Sequence, residues 1–336
     1  MTLTSTRSPA SRAAAPLAAR GAKLLARTPT LGPLAALVLA VVAFAVTTDT
    51  FLTLDNGSLI AQQFLVVGTL ALGQTLVILT AGIDLANAAT MVLGTLVVAR
   101  LSQDTLPTGL ALVTGVLLCT AVGALSGTLV TRLKLPPFIV TLGVLSILTA
   151  ANQLYAHGES YTVPSGVLTW LGTRSYVFGQ IEVTYGMGVM AVLAVALWFA
   201  LTQTAWGRNV YAVGDDPEAA RLNGVRVDRT LLSVYVLAGF VYAVAAWQAL
   251  GRIPNADANV FQTGNLESIT AVVIGGTSLF GGRGGVVGTV LGALVVTVLA
   301  NGLTQAGIDS LYQQVATGIL VIAAVTVDRV VRGRTA

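Results

Sequence analysis

Cutting this chain at its charged residues leaves ten apolar segments, each long enough or nearly long enough to cross a bilayer. They run roughly 28–48, 56–83, 85–99, 105–131, 135–156, 183–207, 230–251, 268–282, 284–308 and 310–327. A spanning helix needs about 20 apolar residues. Nothing but helices or closed barrels satisfies backbone polar groups in lipid. Apolar runs of this length exclude the alternating pattern of a barrel, so the chain reads as an all-α polytopic membrane protein. Composition agrees: 55% of residues are hydrophobic and 10% charged, whereas soluble domains carry about 25% charged residues. Segments 85–99 and 268–282 are short, and each must borrow a flanking charge or be a broken helix.

Arg and Lys fix the expected orientation. With ten spans and the N-terminus inside, the inner side takes the N-terminal cluster Arg7 to Arg27, then Arg132, Lys134, Arg208, Arg221, Arg226, Arg229, Arg283 and the C-terminal arginines. The outer side takes Arg100, Arg174 and Arg252. The prediction is N-in, C-in. The net charge of +4 follows from this asymmetry and does not signal nucleic acid. Residues 1–30, rich in Ser, Ala and Arg, read as a disordered basic cytoplasmic tail. With the apolar run 31–46 they also share the pattern of a cleaved signal peptide. Residues 31–331 read as one membrane domain, with 157–182 as an external loop and 204–229 as a cytoplasmic one.

That cytoplasmic loop is a charged island: eight charged side chains fall between Thr204 and Arg229. Within it a short helix is written out. Asp215 and Asp216 offer N-cap oxygens, Pro217 suits the first helical position, and Glu218 favours the positive end of the dipole. Ala219, Ala220 and Arg221 continue it, and Gly224 supplies a left-handed stop. Loops between spans are ordinarily charged, so the loop alone does not decide between a knob that docks a partner and a plain connection.

Several chemistries are excluded. The only lysines, Lys23 and Lys134, follow no glycine-rich phosphate loop, so the chain has no such ATP site. The single His157 lies in the external loop and the single Cys119 in an apolar span, which leaves no basis for a His metal site, a catalytic triad or a disulfide. An intramembrane enzyme needs paired ionisable groups, but Asp84, Glu267 and Asp328 lie far apart in sequence. Asp84 sits at a Gly-containing break (81–84). It reads either as a group orienting a translocation path or as a helix cap, and the cap is preferred. Amides recur in the spans, and Gln74, Asn87, Asn152 and Asn301, with the ring of Tyr155, are candidates to line a polar passage. Interhelical hydrogen bonding is the plainer reading of each one alone. An internal similarity at offset 194 pairs Gly82, Leu85, Val92, Gly94 and Thr95 with Gly276, Leu279, Val286, Gly288 and Thr289. It suggests a duplicated bundle with two glycine-rich breaks.

Five blocks carry a resemblance: LVILTAGIDL (76–85), LKLPPFIVTLG (133–143), residues 207–239 with GDDPEAARLNG, residues 267–296 with GGTSLFGGRGG, and Tyr312-Gln313-Gln314 through Asp328. Together they resemble the permease subunit of a sugar ATP-binding-cassette importer of the ribose/xylose/fructose group, and the stretch near 172–175 is most similar to fructose-type permeases. The resemblance implies a ten-span permease, as a homodimer or a pair, in the cytoplasmic (inner) membrane of a bacterium. An extracytoplasmic sugar-binding protein would dock outside and two ATPase subunits inside. ATP and Mg would sit on those subunits, with no cofactor on this chain and no enzymatic activity of its own. Residues 214–224 match the family's coupling segment, which assigns Gly214, Asp215, Asp216, Pro217, Glu218, Ala219, Ala220, Arg221 and Gly224 to the ATPase contact. One departure is Ala86-Asn87-Ala88 where the family commonly has Ser-Val-Gly. The alternative is an ion-coupled secondary transporter of a small polar solute.

Overall fold

The computed structural model describes residues 30–104, 106–177 and 181–333. The expected tail, apart from Thr30, lies outside them. Among the described residues are twelve helices: α1 (Leu31–Thr47), α2 (Leu54–Leu79), α3 (Asn87–Asp104), α4 (Thr108–Arg132), α5 (Pro137–Ala156), α6 (Tyr185–Gln203), α7 (Ala205–Asp215), α8 (Pro217–Leu222), α9 (Val227–Arg252), α10 (Gly264–Ile274), α11 (Val286–Gln305) and α12 (Ser310–Gly333). Ten of them correspond to the ten apolar segments; α7 and α8 fill the charged island. Six helices are long and apolar enough to span by length and composition.

The bundle is built around α2. Its second half is mostly apolar or small and is buried on every face from Gly68 to Leu79, surrounded by protein. Its most apolar stretch is 78% buried, against 22% for those of α4 and α6, which turn rows of Leu, Val and Phe outward as a lipid-facing surface requires. Around α2 pack α9, α10 and α11, and α3 packs on both α4 and α9. The tightest crossing is α4 on α9. A Cβ on Gly123 would strike the Tyr235 carbonyl, and one on Gly239 would meet the Cys119 carbonyl at 2.6 Å. Small residues let these backbones touch where no hydrophobic drive exists between helices in lipid.

Helix ends follow local chemistry. Thr53 caps α2 by accepting the Asn56 N–H at 3.3 Å. Pro137 opens α5, and His157 closes it in a left-handed conformation. Segments 161–184 and 255–256 form two small antiparallel sheets that the sequence reading did not foresee. In one, β1 (Tyr161–Thr162) pairs with β4 (Asn255–Ala256). The other is a hairpin of β2 (Arg174–Val177) and β3 (Ile181–Thr184), with Arg174 paired to Glu182 at 3.1 Å. Trp170 and Trp247 stack nearby at 6.2 Å, as aromatics do at a membrane surface.

Two helices are discontinuous. α2 stops at a left-handed Ala81, where the Gly82 N–H bonds the Val77 carbonyl and the Ala81 N–H that of Ile78. α10 stops the same way at Gly276, with Thr277 N–H on Val272 and Gly276 N–H on Val273. Both are Schellman closures. The structure therefore repeats helix, left-handed stop, break and helix, but not in the register of the 194-residue match. The left-handed residues Ala81 and Gly276 lie 195 apart and the following helix starts, Asn87 and Val286, lie 199 apart. Val92 is mid-helix in α3, whereas Val286 begins α11.

α10 has 11 residues, about 16 Å, half a bilayer. It begins deep: Gly264 lies against Ala88 and Leu70. Residues 257–263 thus descend from the loop end into the bundle without regular structure, which membrane proteins tolerate only where protein or a cavity surrounds the chain.

Candidate functional site

The charged island is two helices, not one. α7 was missed because Trp206 and Gly207 looked like the tail of a span and the rest like loop. Thr204 caps it, accepting the Gly207 N–H at 3.2 Å. Its inward face is Gly207, Val210 and Gly214, at helical spacing. Trp206 Nε1 ties it to Ser233 of α9 at 2.8 Å. α8 follows after one residue. Asp216, not Asp215, is its N-cap, accepting the N–H groups of Glu218 and Ala219 at 2.9 and 3.0 Å. Asp215 is instead the last residue of α7. Pro217 is the first helical residue, and Gly224 closes α8 with φ +83°. Ala220 is buried with Val213 and Val227, so α8 is seated on the bundle by one face. On the other face Glu218 and Arg221 form an exposed pair at 2.9 Å. Leu222 is 88% exposed. The sequence reading did not single out Leu222; an apolar residue at the end of a polar loop helix was its only signal.

α7 ends where the two helix breaks meet. A Cβ on Gly214 would collide with the Leu79 carbonyl and come within 2.8 Å of the Gly282 nitrogen, so the position requires glycine. Gly282 N–H itself bonds the Leu79 carbonyl at 3.0 Å, joining one break to the other. Gly281 approaches Ala81, and Gly282 approaches Asp215. Tyr211 donates its hydroxyl to the Gly284 carbonyl at 2.9 Å. Burial pushes the Tyr211 phenol above its ordinary range. The island and the glycine-rich breaks, separate in sequence, form one contact.

The first break is sealed by a buried polar network. Asp84 accepts the Ala86 N–H at 2.8 Å, a cap just ahead of α3. The Gln74 amide, with its nitrogen on the Asp84 carbonyl (3.0 Å) and its oxygen on the Asp84 N–H (3.2 Å), closes both bonds. Asn87 donates to Ser268 of α10 at 2.7 Å. Thr141 and Asn265 donate to the Ile83 and Leu85 carbonyls. The Tyr242 hydroxyl lies beside Asp84 without closing a hydrogen bond of sound geometry.

The candidate path residues fall in three places. Gln74, Asp84 and Asn87 cluster at this break. Asn152 is buried against α3, donating to the Ala89 carbonyl at 3.1 Å, while Tyr155 lies nearer the loop end of α5 with the Arg100 guanidinium 4.8 Å over its ring. Asn301 is buried in α11 with its side-chain oxygen unpartnered. Trp247 stacks on Trp170, and its N–H goes to the Val167 carbonyl at 2.9 Å. A fourth polar group emerges on the descending segment. Gln153 donates to Asn259 at 2.8 Å, Asn259 to Asp257, and Thr263 to Glu267 at 2.8 Å. The density of amides between Asn255 and Asn265 was legible, but that stretch reads as an external loop when the chain is cut by charge.

Residues 57–325 match the family described as the permease component of the branched-chain amino acid transport system. The chain belongs to this permease family. Relatives include the fructose import permease FrcC of Rhizobium meliloti, 44% identical over 91% of this chain and 86% of that protein. The ribose import permease RbsC of Bacillus subtilis (strain 168) is 35% identical over 89% and 92%. The galactose/methyl galactoside import permease MglC of Escherichia coli (strain K12) is 34% identical over 83% and 88%. No solved structure matches it significantly. The chain is thus a multi-pass membrane permease. A family described as one component of a transport system leaves no room for the alternative of a self-contained ion-coupled carrier.

Proposed function

We propose that this chain is the membrane subunit of an ATP-driven importer that carries a monosaccharide, fructose, ribose or a similar sugar, into the cytoplasm. The observation that carries the reading is a capped, charged α7–α8 arm seated at the meeting point of two broken helices. The relatives' sugars supply the substrate class. ATPase subunits, holding ATP and Mg, dock on α8 through Glu218, Arg221 and Leu222. No cofactor is bound by the permease itself. A sugar-binding protein delivers substrate on the opposite side of a bacterial inner membrane, and two permease copies form the core. ATP-driven closure moves the arm, and alternating access follows because binding protein and ATP favour different states. Sugar passes the amides of the descending 257–267 segment and the break around Asn87.

The test is to purify the chain with its own system's subunits and to replace Glu218 and Gly224 together. ATPase co-purification and sugar-stimulated ATP hydrolysis are expected to fall. Survival of both sinks the reading, as does a partner set lacking an ATPase.

A further inference from the structure

Tyr211 Oη holds the turn 275–285 at the Gly284 carbonyl, at 2.9 Å. Beside this contact lies a partly open groove of about 230 Å3, lined by Trp198, Thr202, Tyr211, Gly276, Gly284 and Gly285 among others. The groove leaves room beside the turn. α11 begins at Val286, two residues past Gly284. One turn further on, Thr289 makes a buried 2.6 Å hydrogen bond to Thr75 of the central helix. A pull on Gly284 is therefore a pull on α11 against α2.

We propose that Tyr211 is the positioning residue that transmits movement of the α7–α8 arm to α11, and that the 275–285 turn moves into the adjoining groove. The proposal rests on the importer reading. It assigns a task to a residue outside segment 214–224, on a helix absent from the sequence reading. The hydroxyl is the only link from the Tyr211 side chain to the turn that a phenylalanine would remove. Gly285 offers an independent handle. Its backbone is extended, at φ 166°, which any residue adopts, and an added Cβ would meet nothing closer than Tyr211 Oη at 3.6 Å. A Cβ is therefore tolerated there, and a leucine built on it would enter the groove beside the turn.

The experiment uses the permease purified with its ATPase and binding-protein subunits, reconstituted in vesicles, with radiolabelled fructose and ribose as separate probes. Tyr211→Phe is expected to retain the ATPase subunits but to import about fivefold less sugar per ATP hydrolysed, the bias a single hydrogen bond supplies. Gly285→Leu is expected to retain the ATPase and lose import. A merely structural role would lower yield and thermal midpoint without moving the sugar-to-ATP ratio. An unchanged ratio in Tyr211→Phe, loss of ATPase co-purification in Tyr211→Phe, or normal import by Gly285→Leu overturns the proposal and leaves the importer reading standing. Import by the wild type without ATPase subunits overturns both.

Discussion

Asp84 is where a cap and a transport group can be told apart. Its carboxylate is buried and accepts one backbone N–H, that of Ala86. Asp84→Ala leaves that donor unpaired inside the bundle, at a cost of about 1–3 kcal/mol; exposed caps lose about 1. At roughly 2–4 °C per kcal/mol for a chain segment of this size, the thermal midpoint in detergent should drop by several degrees. Asp84→Asn keeps the oxygen acceptor and removes the charge. It should hold the midpoint within about a degree and preserve sugar uptake in vesicles. The readouts are fluorescence-monitored unfolding and uptake of labelled sugar, measured on the same preparations. Should Asp84→Asn fold normally yet lose uptake tenfold or more, the charge itself is used and the cap reading is wrong. Should Asp84→Ala melt with the wild type, the Ala86 bond contributes nothing and the argument fails at its first step.

Two further outcomes follow from the arm. Leu222→Ser, at an 88% exposed position, should leave the thermal midpoint unchanged. ATPase retention in pull-down should fall about tenfold or more, as for an interface anchor; equal retention removes Leu222 from the contact. Gly214→Ala drives a methyl into the Leu79 carbonyl. Overpacking costs about 1–3 kcal/mol, so a lowered midpoint and weakened uptake are expected, and a wild-type midpoint would show that α7 does not seat on the breaks.

Features whose cause is local were legible in the sequence. The ten apolar segments each became a helix, six of them long and apolar enough to span. α8 was readable because Asp216, Pro217 and Gly224 act within a few residues of their own positions. α7 was not. It carries two glycines and an arginine in 11 residues, so its stability comes from tertiary seating at Gly207, Val210 and Gly214 rather than propensity. The breaks were visible as glycines and a stray aspartate. Their meeting depends on Leu79, Gly214 and Gly282 packing across some 200 residues of chain, which no local pattern records. The amides were visible too, but whether each faces a passage or a neighbour is set by helix rotation. Asn152 turned toward the Ala89 carbonyl, and Asn87 toward Ser268.

The few charges within the bundle bear on how energy enters. Asp84 is committed to the Ala86 N–H and Glu267 to the Thr263 hydroxyl. Asp84 caps the start of α3, and Glu267 anchors the side chain of Thr263, the residue that precedes α10. A mechanical input suits this chain. The two helix breaks share the Leu79–Gly282 hydrogen bond under Gly214. In the proposed importer, force applied to the arm at that contact would reach both breaks, from which α3 and α11 leave.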